Sequence, residues 1–458
     1  MERLSADDLL MLYSCDLGQS MDIGAFIVLD GERLLGPDGR FQLEAARKVI
    51  EHRLQYVPRF RQVVHRPRFG LGTPLWVDAP TFDISDHVRM FPIDGPATEE
   101  QVLQACEELR SRQRDPSKPP WEMWFLTGIG HGRVGLFVKL CHAVADGIAG
   151  VGALATLLDL SPEESPPSGE PWEPAAPPSS WELLEDNLRL RLGRLTRKLR
   201  LLSHPITASR RARTLWPAFR ELFAEERAPR TSLNRLIGQD RKLGIVRGNL
   251  DEYRDIAHTH NAKVNDVLLT GIAGGLRELL LGRGEKVDDL VLRAMVPVSL
   301  HQGGAGQGND STGMAIHLPV GEANHVRRLK LIAAETNDRK KKRRETISFM
   351  FHSKFAQKAL LRYFKRQRMA NLYITNVPGP PVPLYFARAT LLEVFPIVPI
   401  AGNMTLGIGA LSYAGQFNIT VIADRDLCPD LAVFIAGVRT SLDALETSSL
   451  VNASGRTH

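Results

Sequence analysis

Cys141-His142-Ala143-Val144-Ala145-Asp146-Gly147 follows a dense apolar run at residues 134–140 (VGLFVKL), and this junction decides how the chain is read. The run has the composition of a buried strand. Beyond it, residues 148–160 (IAGVGALATLLDL) repeat apolar positions at steps of three and four, the period of a helix. His142 therefore falls where a strand gives way to a helix, a place where side chains commonly face a cleft. A neutral imidazole accepts a proton near pH 7, and an Asp four residues on, followed by Gly, can brace it and leave room for a substrate. The stretch reads as a general-base site. The same spacing also arises where a helix begins on a satisfied structural His, so the motif alone leaves both readings open.

A chain of 458 residues is too long for one ordinary core and predicts two domains. Its 43% hydrophobic and 24% charged residues are those of a soluble globular protein. Residues 1–13 (MERLSADDLLMLY) lack a basic start and a sustained apolar core, so no secretory signal is expected. No run approaches the ~20 apolar residues of a membrane-spanning helix, and a cytoplasmic protein is expected. Cys15, Cys106, Cys141 and Cys428 are scattered, with no CxxC pair and no His at zinc spacing, which predicts neither a disulfide framework nor a metal site. The net charge of +6 and pI near 9.2 point to an anionic partner: nucleic acid, a phosphorylated cofactor or a membrane surface. Nucleic acid is not expected. There is no zinc finger or GxxxxGK[ST] motif, and Gly303, Gly304, Gly306 and Gly308 have no Lys behind them to grip a phosphate.

Residues 161–180 (SPEESPPSGEPWEPAAPPSS) have a linker's composition and mark a boundary. Leu188, Leu192, Leu195, Leu199 and Leu202 then recur at steps of three and four among Arg189, Arg191, Arg194, Arg197, Lys198 and Arg200, a basic amphipathic helix. Such a helix either docks on the protein with a solvated charged face or lies on anionic lipid. A second basic cluster, residues 339–344, precedes bulky apolar residues and is equally two-sided. In the second half the pattern predicts a helix over 264–281, a buried strand over 290–300, a hairpin over 405–424 turning at Ala414-Gly415, and a helix over 430–445. The expected organisation is an N-terminal domain over 1–160 carrying the motif, a connector over 161–235 and a C-terminal domain over 236–458. The expected fold is α/β (α+β), two sandwiches side by side with a cleft between them.

Further stretches add to this: Pro74-Leu75-Trp76, residues 82–88 (FDISDHV), Asn265-Asp266, residues 296–299 (VPVS) followed by Gly308-Asn309, residues 376–380 (NVPGP) and Cys428-Pro429-Asp430. With these in order, the chain resembles the bacterial wax ester synthase/diacylglycerol acyltransferase family from about residue 5 to residue 445. That family's HHxxxDG hallmark appears as CHAVADG at 141–147, with Cys141 in place of the first His. An early SPMHIG-like motif appears as residues 20–24 (SMDIG), with Asp22 in place of His. The resemblance implies two chloramphenicol acetyltransferase-like sandwich domains with an active-site tunnel between them. It implies transfer of a long-chain fatty acyl group from acyl-CoA, a co-substrate and no bound cofactor, to a diacylglycerol or long-chain alcohol, giving triacylglycerol or wax ester.

Under that resemblance His142 is the base and Asp146 a structural brace paired with an Arg, for which Arg293 is the candidate. Substrate-contacting positions are Cys141, Gly147, Asn265, Asn309, Asn376 and Gly379. Three of these stretches have a plainer reading: Gly147 eases entry into a helix, Asn265 is an N-cap, and residues 376–380 make a rigid turn. Trp76 and His87 read as packing residues. A Cys141 acyl-enzyme is the less favoured mechanism, because adjacent residues on a strand point to opposite sides. Two other readings share the fold: a lipid-binding or lipid-body protein with weakened catalysis, suggested by Cys141 and Asp22, and an acyltransferase for a secondary-metabolite alcohol. The implied location is peripheral, on the inner face of the membrane or on lipid bodies.

Overall fold

The run at 134–140 lies within a nine-residue strand, Arg133–Cys141, whose residues are all buried except the first. It sits in a computed structural model that describes residues 2–16, 20–68, 71–144, 152, 154–163, 172–203, 227–299, 311–341, 362–363 and 365–454. In chain order the first half contains β1 (Glu2–Arg3), α1 (Ala6–Asp16), β2 (Asp22–Asp30), α2 (Leu43–Arg53), β3 (Gln62–His65) and β4 (Leu75–Asp78). It continues with β5 (Val88–Pro92), α3 (Glu99–Ser111), β6 (Trp121–Thr127), β7 (Arg133–Cys141) and α4 (Ser180–Ser203). The second half contains β8 (Arg241–Val246), α5 (Leu250–Thr259), α6 (Val264–Gly282), β9 (Val291–Ser299), β10 (Ser311–Pro319) and α7 (His325–Lys341). It closes with β11 (Leu372–Pro378), β12 (Tyr385–Phe386), β13 (Ala389–Ile397), β14 (Leu406–Tyr413), β15 (Gln416–Asp424) and α8 (Leu431–Ser454).

Alternation along β7 explains why it is buried on both sides. Val134, Leu136, Val138 and Leu140 enter one core with Ala46 and Ile50 of α2, while Phe137 enters another with Val102, Cys106 and Leu109 of α3. Each such side chain, fully buried, contributes about 1.5–3 kcal/mol. β7 lies inside a six-stranded sheet of order β12-β13-β2-β7-β6-β5, antiparallel to both its neighbours. A second six-stranded sheet runs β10-β9-β11-β14-β15-β8, and its core gathers residues from α5, α6, α7 and α8. The expected hairpin is β14–β15, turning through Ala414 (φ 45°) and Gly415 (φ 83°), the left-handed pair a tight hairpin needs.

Residues 236–458 contribute strands to both six-stranded sheets. β12 and β13 leave the second half and extend the first sheet, with β13 antiparallel to β2. The return hairpin holds that strand from the other side: Gln416 Nε2 donates to the Leu392 carbonyl (2.7 Å) and Asn418 Nδ2 to the Val394 carbonyl (3.2 Å). One core then spans both halves, joining Phe26, Phe137, Cys106 and Leu109 to Leu243, Ile245, Phe395 and Ile422.

The basic segment begins as helix α4. Its start is tied down by Arg3, whose Nε donates to Asp186 (2.5 Å) and whose Nη1 donates to the Thr73 carbonyl (2.6 Å). Farther on, Leu188, Leu192 and Leu195 are exposed beside exposed Arg189 and Arg191. Most of the second basic and apolar segment, residues 342–361 and 364, lies outside the described residues, as do 145–151 and 153. Among the described residues no helix is long and apolar enough to cross a membrane.

Candidate active site

β7 ends because its backbone is captured. The Cys141 N–H donates to the Pro120 carbonyl (2.9 Å), and the Cys141 carbonyl accepts from the Val144 N–H (2.8 Å), closing residues 141–144 into a turn. His142 is the first residue past the strand, half-buried, with Nδ1 enclosed by protein. On either side of it Cys141 and Ala143 pack with Leu4, Leu9, Tyr13 and Trp76, so α1 and β4 form a wall against the turn. Trp76 is a packing residue here.

β2 brings charge to the same place. Asp22 pairs in register with Cys141, and its carboxylate accepts from Ser20 Oγ (2.7 Å) and from Arg114 (2.5 Å). Asp22 thus serves as the anion of a buried pair, and removing either member of such a pair costs about 3–5 kcal/mol. Two residues before Cys141, the buried Lys139 Nζ donates to the Leu109 carbonyl (3.4 Å) and the Arg112 carbonyl (2.5 Å), and burial pulls its pKa down. Opposite Lys139 stands Gly24, where a Cβ would lie 1.8 Å from the Val138 carbonyl oxygen, so β2 can approach β7 this closely only as glycine. The neighbouring Cys15 thiol and the Arg114 guanidinium draw the pKa of the Cys141 thiol down, against the opposing effect of burial.

The remaining candidates are spread over both sheets. Asp146, Gly147 and Asn309 lie outside the described residues, and the expected Asp146–Arg293 pairing falls with them. Arg293 is buried on β9, its N–H donating to Asn371 Oδ1 (2.8 Å) and its carbonyl accepting from the Asn371 N–H (2.7 Å). Leu292, Ala294 and Val296 enter the second core, so alternation turns Arg293 away from it. Asn265 is the second residue of α6; the cap position is Lys263, which removes the N-cap reading. The local work falls to buried Asp266, whose carboxylate accepts from the Lys263 N–H (2.9 Å) and from the Thr336 hydroxyl (2.8 Å). Asn376 is half-buried in β11 opposite Ala410, and Gly379 follows the end of that strand. His87 stacks on Trp121 (4.5 Å) and Phe82 (5.2 Å) and bonds the Trp121 carbonyl through Nδ1 (2.9 Å), with its pKa lowered by burial, as a packing residue would. Cys15 and Arg114 were not among the expected site residues. Nothing local in the sequence marks them, since only the fold carries them to Cys141.

A strand-to-turn His beside an enclosed Cys, in two mixed sheets joined by an exchanged strand, matches a known family over most of its length. The wax ester synthase/diacylglycerol acyltransferase catalytic domain matches residues 4–268, and the C-terminal domain of the same family matches residues 307–446. The chain belongs to the wax ester synthase/diacylglycerol acyltransferase family. It is an O-acyltransferase. Among its relatives, a putative diacylglycerol O-acyltransferase of Mycobacterium tuberculosis is 27% identical, covering 100% of this chain and 93% of its own. A probable diacylglycerol O-acyltransferase of the same species is 28% identical, covering 93% and 91%. Among solved structures, the wax ester synthase/diacylglycerol acyltransferase of Marinobacter aquaeolei VT8 has a TM-score of 0.69 at 21% identity over 98% of this chain and 99% of its own. The trichothecene 15-O-acetyltransferase of Fusarium sporotrichioides scores 0.64 at 11% identity over 97% and 94%. A starter condensation domain of rhizomide synthetase, solved with C8-CoA, scores 0.59 at 14% identity over 98% and 95%. These likenesses establish the fold, that of the acetyltransferase and condensation-domain class.

Proposed function

We propose that this acyltransferase moves a long-chain fatty acyl group from acyl-CoA to the hydroxyl of a diacylglycerol or long-chain alcohol, with His142 as the base. The observation that carries the reading is the position of His142: the first residue past the buried strand β7, half-buried in a turn backed by α1 and β4. The thioester is already activated, so the protein has to place the alcohol oxygen, take its proton and shelter the anion. His142 Nε2 takes the hydroxyl proton as the oxygen attacks the thioester carbonyl. The tetrahedral oxyanion collapses, the C–S bond breaks, and the imidazolium returns the proton to the leaving thiolate. Asp146 braces the loop, with Arg293 as its partner; Cys141, Gly147, Asn265, Asn309, Asn376 and Gly379 line the substrate path. The N-terminal domain over 1–160 carries the base, the connector over 161–235 supplies a basic exposed face toward anionic lipid, and the rest completes the tunnel.

Support for the substrates comes from relatives named as diacylglycerol O-acyltransferases and from the CoA-bound condensation domain. The deciding experiment incubates the protein with radiolabelled palmitoyl-CoA and, separately, dioleoylglycerol or hexadecanol. Labelled triacylglycerol or wax ester is expected. Lipid binding with no ester from either acceptor would instead make the chain a lipid binder.

A further inference from the structure

The two places where this chain departs from its family's motifs, Asp22 and Cys141, stand directly opposite each other as the end pair of the β2–β7 ladder. Opposite residues of an antiparallel ladder share a face, with Cβ atoms about 4.5–5.5 Å apart. Both ladders of β7 stop here. β2 begins at Asp22, and on the other side β6 begins at Trp121, opposite Leu140. Among the described residues no strand pairing holds the chain past Cys141, so the place from which His142 leaves is fixed by something else. The segment joining α3 to β6 supplies it. The Pro120 carbonyl accepts from the Cys141 N–H (2.9 Å), and the Leu109 and Arg112 carbonyls accept from the Lys139 ammonium (3.4 and 2.5 Å). The third tie is ionic: Arg114 Nη2 donates to Asp22 Oδ1 (2.5 Å). Asp22 is 6% exposed, and its other oxygen accepts from Ser20 Oγ (2.7 Å). Arg114 Nε is enclosed without an acceptor, so among the described residues the Asp22 carboxylate is what balances this guanidinium. Lys139 and Cys141 lie two apart on β7 and face the same way as Asp22, so both side-chain ties converge on one face of the strand's end.

We propose that Asp22 and Arg114 are positioning residues for His142: their ion pair clamps the end of β7 to the α3–β6 segment and sets the place from which the imidazole meets its substrate. The small Cys141 side chain opposite leaves the Asp22 carboxylate to Arg114. The two departures are then parts of one exchange, an ion pair where the family pattern has imidazoles, and neither weakens catalysis. The effect on turnover rests on His142 being the base, whereas the clamp itself does not.

The test compares wild type with Asp22→Asn, Arg114→Gln and the double variant, and with Arg283→Met as a control. Arg283 holds Asp430 (2.5 Å) between the end of α6 and the start of α8, so its loss strands a carboxylate without touching β7. Two readouts are taken well below each melting temperature: kcat and KM for palmitoyl-CoA with dioleoylglycerol, and the NMR signals of the His142 ring in histidine-labelled protein, assigned by their loss in His142→Ala. Each single substitution strands its partner's charge. It should move the ring signals and lower kcat by about 10- to 100-fold at little-changed KM, since a misplacement of about 1 Å can cost that much. The double variant keeps an amide pair and strands no charge, so it should recover most of kcat, as residues in contact are not additive. Arg283→Met should lower the melting temperature and leave kcat and the ring signals unchanged. Folded Asp22→Asn and Arg114→Gln with wild-type kcat would overturn the proposal, as would equal losses in Arg283→Met or additive losses in the double variant. Because the ring signals need no turnover, a protein that makes no ester would fail the functional proposal while unmoved signals would overturn the clamp and moved signals support it.

Discussion

Gly379 shows how closely the chain packs just past the end of β11. Its N–H donates to the Ser412 carbonyl (3.0 Å), and a Cβ there would stand 2.3 Å from that same oxygen. Backbone atoms cannot rotate aside as a side chain can, so Gly379→Ala should destabilise by about 1–3 kcal/mol, read as a lower denaturant midpoint at unchanged slope. Glu107 is a second residue-scale test. Its buried carboxylate accepts from the Leu243 N–H on edge strand β8 and from Arg425 (2.9 Å), yet burial outweighs both and raises its pKa. A carboxyl raised on folding contributes most below its unfolded pKa and loses that contribution as pH rises through the folded value. Glu107→Gln cannot ionise, so its melting temperature should gain on wild type as pH rises through and above the ordinary carboxylate range. A difference that shrinks over that range would contradict the sign. Legibility at this scale tracks distance along the chain: Cys141 and His142 were readable because strand, turn and motif are contiguous, whereas Cys15, Arg114 and Glu107 gain their partners only through folding.

β7, α6, β9 and the β14–β15 hairpin followed from periodicity and turn residues, because each is specified by its own sequence. β13 did not. No sequence pattern picked out its residues, and only pairing with β2 and the side chains of Gln416 and Asn418 reveals the exchange. α6 was foreseen, but Asn265 was read as its possible cap; Lys263 holds that position and Asp266 does the capping. Downstream of the motif, the chain is fastened to both neighbours at Asp159. Its N–H donates to the Tyr385 carbonyl (2.8 Å), its carbonyl accepts from the Tyr385 N–H (2.9 Å), and its side chain pairs with buried Arg53 of α2. Arg53→Met removes the guanidinium and leaves the Asp159 charge in a buried place, so a loss of about 3–5 kcal/mol is expected by chemical denaturation. Adding Asp159→Leu to that variant should recover part of the loss.

At the scale of the molecule, the exchanged strand and shared core make the two halves one body, which matters for catalysis at a site expected between them. β13 links to β8 and α3 at the surface as well, where Arg247 bridges Glu393 (2.5 Å) and Glu99 (2.6 Å). In the proposed mechanism the chemistry falls on one side chain, His142, just past the end of β7. The most direct measurement is therefore kcat and KM for palmitoyl-CoA with dioleoylglycerol and with hexadecanol, on wild type and His142→Ala, with circular dichroism to show that both are folded. If His142 is the base, kcat should be lower by about 10²–10⁴-fold in the variant at little-changed KM, the range that general-base catalysis supplies. A folded His142→Ala protein with undiminished kcat would contradict it.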